Sequence, residues 1–189
     1  MTTKLKSAEH LEELEVNKLL KYLHQNQLWV YYILVRLGIS TALRYSDLSQ
    51  ITWKDLLGRD FLTIKERKTG RVREIPLNPE LTQNMTSIYV KMGSPDRGSR
   101  VISLTTRGVN KQLKIYAAKA GIRGKRISTH TFRKTFGREV WKRNNYSEAS
   151  LIKLSQLFRH SSTSITRIYL SITKEEVEDL YNLQDLFVY

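Results

Sequence analysis

The sequence predicts a mainly α-helical protein carrying one small antiparallel β-sheet, an α+β fold. Two observations carry that prediction. Apolar residues recur at helical spacing through most of the chain, beginning with Leu11, Leu14, Leu19, Leu20 and Leu23. Against this, two short β-prone runs, Phe61 to Lys65 and Arg71 to Ile75, flank the turn-forming Lys68-Thr69-Gly70.

Residues 8–25 predict the first helix, with Glu and Lys between the apolar positions. Trp29 to Leu37 is almost wholly apolar and predicts a buried helix, which Gly38 is expected to stop. A short helix is expected from about Tyr45 to Ile51, with Trp53 and Leu56 packed behind it. The β-prone runs form a hairpin in which Gly70 supplies the positive φ of the turn and Pro76 ends the second strand. Pro79 to Met92 reads as a helix, Gly93 to Gly98 as a surface loop, and Val101 to Leu104 as a further strand that would join the hairpin. Thr106 to Ala120 repeats apolar residues at Val109, Leu113, Tyr116 and Ala117 and closes at Gly121. Ser128 or Thr129 is placed to cap a helix with His130 and Arg133 near its start and Phe132, Phe136, Val140 and Trp141 as its core face. Ser147 caps the next helix, through Leu151, Ile152 and Leu157. A short helical segment, Ser161 to Tyr169, and a final amphipathic helix, Lys174 to Leu183, complete the chain. No repeat, low-complexity tract or linker interrupts residues 1–189, which read as one domain.

A formal charge of +14 on 189 residues is too large for an ordinary metabolic enzyme and points to a polyanionic partner, nucleic acid first. A ribosomal or membrane-surface protein is the plainer alternative. No apolar run reaches the roughly 18 residues that span a bilayer, and Met1 to Lys6 does not open a signal peptide. The absence of cysteine excludes disulfides and thiolate metal sites. Four histidines without HxH or HExxH spacing predict no metal, and no cofactor is expected.

The chemistry-bearing residues concentrate in the last third. His130 and Arg133, three apart on one helix, share a face and reach a single anionic ligand. Arg159-His160 comes next, and Tyr169 stands nine residues beyond His160. Upstream lie Ala42-Leu43-Arg44-Tyr45-Ser46-Asp47 and Lys68-Thr69-Gly70. In order and spacing this set resembles the tyrosine recombinase (phage integrase) family, and the resemblance covers nearly the whole chain as that family's catalytic domain.

The resemblance implies a metal-free and ATP-free cut of DNA. Arg44 and Arg133 clamp the non-bridging phosphate oxygens, a task suited to a planar, permanently charged fork. Tyr169 attacks and leaves a 3′-phosphotyrosyl enzyme, which conserves the bond energy for rejoining. A free tyrosine has a pKa near ~10, so it needs a base or phosphate-bound cations to attack at neutral pH. His130 exchanges the proton with Tyr169, and His160 hydrogen-bonds the scissile phosphate. Lys68, on the hairpin tip, protonates the departing 5′-oxygen. The plainer reading of Lys68 is a backbone contact within a basic ribbon that includes Arg67, Arg71 and Arg73. Asp47 is a supporting residue that orients Arg44 or a histidine, or else a carboxylate at a helix N-terminus.

Arg159 stands where relatives commonly carry Gly, and either alters the turn or adds a DNA contact. Ala42 likewise replaces a frequent Gly. The family's usual N-terminal core-binding domain has no counterpart here, so the chain reads as an excised catalytic domain or as one of the compact single-domain invertases. The expected function is site-specific recombination, by integration, excision or inversion. Relaxation of DNA by a type IB topoisomerase and non-catalytic DNA binding are the alternatives. The resemblance further implies self-association on DNA, as a tetramer at synapsis, and, for a bacterial or phage protein, the cytoplasm (nucleoid) as its location. The tail over residues 174–189 is expected to pack on its own domain without DNA and to exchange between protomers on DNA.

Overall fold

In the computed structural model, residues 7–172 are described. The expected final helix, Lys174 to Leu183, and the rest of the tail lie outside them. The chain divides into two compact units between Phe136 and Gly137.

The first unit is built on a helical core. Helix α1, Glu13–Gln25, starts later than its periodicity suggests, at a capping box in which the Glu12 N–H donates to Glu15. Val16, Leu19, Leu20 and Leu23 share one face and are buried, while Leu14 lies off that face and is 75% exposed rather than part of the core. Residues before it run extended, with Glu9 N–H donating to the Arg126 carbonyl (3.0 Å) and Leu11 N–H to Thr135 Oγ1 (2.9 Å). Helix α2, Trp29–Thr41, supplies the buried Ile33, Leu34, Val35 and Leu37. It passes through Gly38 instead of stopping there and ends at Ala42, which adopts the left-handed conformation (φ 55°). A non-glycine residue there costs about 1 kcal/mol.

Helix α3, Tyr45–Leu48, is shorter than expected because a 3-10 turn, Trp53–Asp55, soon succeeds it. The expected strand Val101 to Leu104 does not form. The segment instead makes one antiparallel bridge, Thr52 to Arg100, and the Val101 N–H donates to the Ile51 carbonyl. The antiparallel register sets the residues beyond Arg100 against those before Thr52, where the chain turns out of α3, so they meet no extended partner. Strands β1, Phe61–Lys65, and β2, Val72–Pro76, form the expected hairpin, pairing Leu62 with Ile75 and Ile64 with Arg73. Pro76 is itself the last residue of β2 and pairs with Phe61. Alternation buries Leu62, Ile64 and Ile75 and leaves the other β1 residues exposed. Helix α4, Pro79–Lys91, begins with Asn78 accepting from Glu80 N–H and with Pro79 in its first turn. Helix α5, Thr106–Lys119, is capped by Thr105 and closes before Gly121, which sits at φ 81°.

Helix α6, Thr129–Arg143, runs through the division between units. At its start Ser128 Oγ accepts the His130 N–H (3.2 Å), and Asn110 Oδ1 accepts the Thr129 N–H (2.9 Å). Phe132 is fully buried, whereas Phe136 and Val140 are only half-buried. In the second unit, α7, Glu148–Phe158, is capped by Ser147 and buries Leu151, Leu154 and Phe158, leaving Ile152 exposed. It packs on α8, Thr163–Leu170.

Candidate active site

The first unit gathers a cluster of positive charge around the start of α6. Arg133 is 4% exposed, and its Nη1 donates to the carbonyl of Ala42. The left-handed turn at Ala42 therefore presents an acceptor that holds one edge of the guanidinium. Two residues on, half-buried Arg44 is the N-cap residue of α3. His130 lies at the surface, yet lost hydration, followed by the charges of Arg133, Lys134 and Arg44, holds its pKa below the usual imidazole value of 6.5. The ring is therefore neutral at pH 7 and able to take a proton. Lys134, 2% exposed, was not foreseen; burial lowers its pKa and Nζ donates to Ser7 Oγ (3.1 Å).

Lys68 is exposed on the hairpin turn, flanked by exposed Arg67 and Arg71. Two carboxylates hold that turn. Glu66, 1% exposed, accepts from Thr69 Oγ1 (2.8 Å) and pairs with Arg73 Nη1 (3.5 Å), so Arg73 is turned against the protein. Fully buried Asp47 accepts the Arg67 N–H at Oδ1 (2.9 Å). Its Oδ2 has no hydrogen-bond partner among the described residues. Asp47 thus ties α3, one turn past Arg44, to the residue before Lys68. Asp47 was expected to orient Arg44 or a histidine; the hydrogen bond it makes here is to the hairpin backbone. Glu66 was not foreseen either, although an acid inside a basic ribbon was a visible signal.

The second unit carries His160 and Tyr169. Helix α7 ends in a Schellman motif: Arg159 N–H donates to the Gln156 carbonyl (3.1 Å) and His160 N–H to the Ser155 carbonyl (3.0 Å). Arg159 occupies the left-handed position (φ 56°) that glycine usually fills, so the turn is kept despite the substitution. His160 is thereby fixed immediately past the helix end. Tyr169 lies near the end of α8, half-buried, with its hydroxyl oxygen shielded from solvent. Its ring meets that of His160 at 5.2 Å and 69°, and that of Phe158 at 5.5 Å and 70°. These are edge-on contacts of the favourable kind. Arg167 pairs with Glu148 and Arg138 Nη1 reaches the Leu170 carbonyl (3.4 Å), holding α8 against α7 and α6. Among the described residues no helix is long and apolar enough to cross a membrane.

The chain matches the phage integrase family over residues 9–176. It is 30% identical over 158 residues to a probable integrase/recombinase, YoeC, of Bacillus subtilis (strain 168), covering 80% of this chain and 83% of that protein. To the tyrosine recombinase XerA of Pyrococcus furiosus it is 28% identical over 191 residues, covering 93% of this chain and 63% of that one. In fold it resembles the site-specific recombinase XerH, solved with a palindromic difH substrate in a post-cleavage complex (TM-score 0.70, 18% identity, 95% of this chain and 54% of that one). The chain thus spans less than two thirds of the length of XerA and about half that of XerH.

Proposed function

The chain belongs to the phage integrase family, and from that premise we propose that it cuts and rejoins double-stranded DNA as the catalytic domain of a site-specific recombinase. Tyr169 attacks a backbone phosphate; the new bond joins its phenolic oxygen to the 3′-phosphate, and the bond to the 5′-oxygen breaks. Neutral His130 takes the phenolic proton. Arg44 and Arg133 stabilise charge on the non-bridging oxygens, which grows as the phosphorus becomes five-coordinate. His160 donates a further hydrogen bond to that phosphate, and Lys68 protonates the leaving 5′-oxygen. Reversal with a different 5′-hydroxyl completes strand exchange, so several protomers act together on DNA.

The observation that carries this reading is Tyr169 seated against His160 on a helix packed over the Schellman turn. It places the one tyrosine at the family's spacing beside His160, which supports that reading of the pair. The test is a nicked suicide substrate, from which the cleaved end diffuses away and traps the adduct. A covalent DNA–protein species is expected on a denaturing gel for the parent and none for Tyr169→Phe. An adduct that persists in the Phe variant removes Tyr169 from the role. Exchange of strands between two sites separates recombination from topoisomerase-like relaxation.

A further inference from the structure

Thr166 is fully buried on α8, three residues before Tyr169 and therefore on the same helical face. Its Oγ1 lies 3.0 Å from Nδ1 of His160 and 3.5 Å from the Ser162 carbonyl oxygen. A threonine inside a helix ordinarily returns its proton to the carbonyl one turn back. Here that carbonyl is at the outer limit of hydrogen-bond range and the imidazole nitrogen is half an ångström nearer. A hydroxyl has one proton to give, so wherever Nδ1 carries a lone pair the shorter path takes it.

We propose that Thr166 is a positioning residue that donates to Nδ1 of His160 and so keeps the imidazole proton on Nε2. A neutral imidazole whose Nδ1 accepts must carry its hydrogen on Nε2, where it is a donor to a phosphate oxygen. The opposite tautomer would turn a lone pair toward an anion. The backbone bond and the ring contacts of His160 do not make this choice. The Ser155 carbonyl fixes its backbone, and the rings of Phe158 (5.5 Å) and Tyr169 (5.2 Å) fix its plane, but neither distinguishes one nitrogen from the other. Thr166 does so, and it couples the choice to the helix that bears the nucleophile. The purpose assigned to the tautomer rests on the proposed recombinase chemistry; the tautomer itself does not.

Long-range 1H–15N NMR of the full chain without DNA reads the tautomer directly. The Nε2–H form is expected for His160 in the parent and in Thr166→Ser, and a loss of that preference in the isosteric Thr166→Val. On the suicide substrate, Thr166→Val should form adduct roughly tenfold or more slowly, the range found when a partner that orients a functional histidine is removed, and Thr166→Ser close to the parental rate. A parent His160 in the Nδ1–H form overturns the proposal without need of any variant. Unchanged tautomer and rate in a folded Val variant overturn it as well. A parent chain that shows the Nε2–H form yet never forms adduct counts against the recombinase reading instead.

Discussion

Gly38 makes the sharpest test of how the fold holds the site. A Cβ added there would lie 2.8 Å from Cβ of Phe132 and 3.3 Å from its Cγ. Carbon atoms rest at roughly 3.5–4.0 Å, so α2 and α6 would have to part by about 0.7 Å. The nearest atom is Cβ, fixed to the α6 backbone, so no rotamer change of Phe132 relieves the contact. Gly38→Ala recovers about 1 kcal/mol of helix propensity. Overpacking a filled core costs about 1–3 kcal/mol, so the net effect should be a loss of up to about 2 kcal/mol. Phe132 stands between His130 and Arg133 on the first turn of α6, so a shift of that size moves the clamp with it. Misplacement by 1 Å costs up to about a hundredfold, and a drop of roughly tenfold or more in adduct formation is expected. Urea unfolding should show a lower midpoint at unchanged slope. Gly137→Ala is the comparison: its new Cβ would meet Cδ2 of Leu170 (2.7 Å) and the ring edge of Phe158 (2.9 Å), both fully buried, so it too should lose stability, with the strain passing to the ring that contacts His160 and Tyr169. Gly38→Ala protein at least as stable as the parent and equally fast would refute this account of the contact.

Three other perturbations probe the site itself. Lys68→Ala should slow cleavage of ordinary DNA far more than of a 5′-bridging phosphorothiolate, whose sulfur leaves without a proton; equal slowing returns Lys68 to a backbone contact. Adduct formation should fall as pH drops through the lowered pKa of His130, and any stability the neutral ring contributes should be lost in the same window, below the unfolded value of 6.5. Arg44→Gln should bring that titration, monitored by NMR, back toward 6.5, and an unmoved midpoint would show that Arg44 does not act on the ring. Asp47→Ala removes the acceptor of the Arg67 N–H and should cost about 1–3 kcal/mol by urea unfolding, with Asp47→Asn milder because it keeps an acceptor; equal losses would place the effect in packing alone.

Local rules of spacing and residue type made a large part of this protein legible in its sequence. The helical stretches, the Gly70 turn, the caps at Ser147 and Ser128, and the grouping of His130 with Arg133 each depend on residues within a few positions of one another. The basic charge and the family pattern also needed no coordinates. Residues far apart in the chain are another matter, and there the folded structure decided. Gly38 looked like a helix stop and is an approach site for Phe132, far along the chain on α6. Val101 to Leu104 had strand character but no strand to pair with, because its antiparallel register from the Thr52–Arg100 bridge runs into the turn that follows α3. Leu14 is apolar yet faces solvent, since nine residues of helix put it on the opposite side from buried Leu23. Asp47 and Glu66 became supports of the Lys68 turn, and Thr166 a partner of His160, through hydrogen bonds that no periodicity encodes. A hydrogen bond requires two atoms within about 3 Å, and only the folded chain fixes which pairs arrive there.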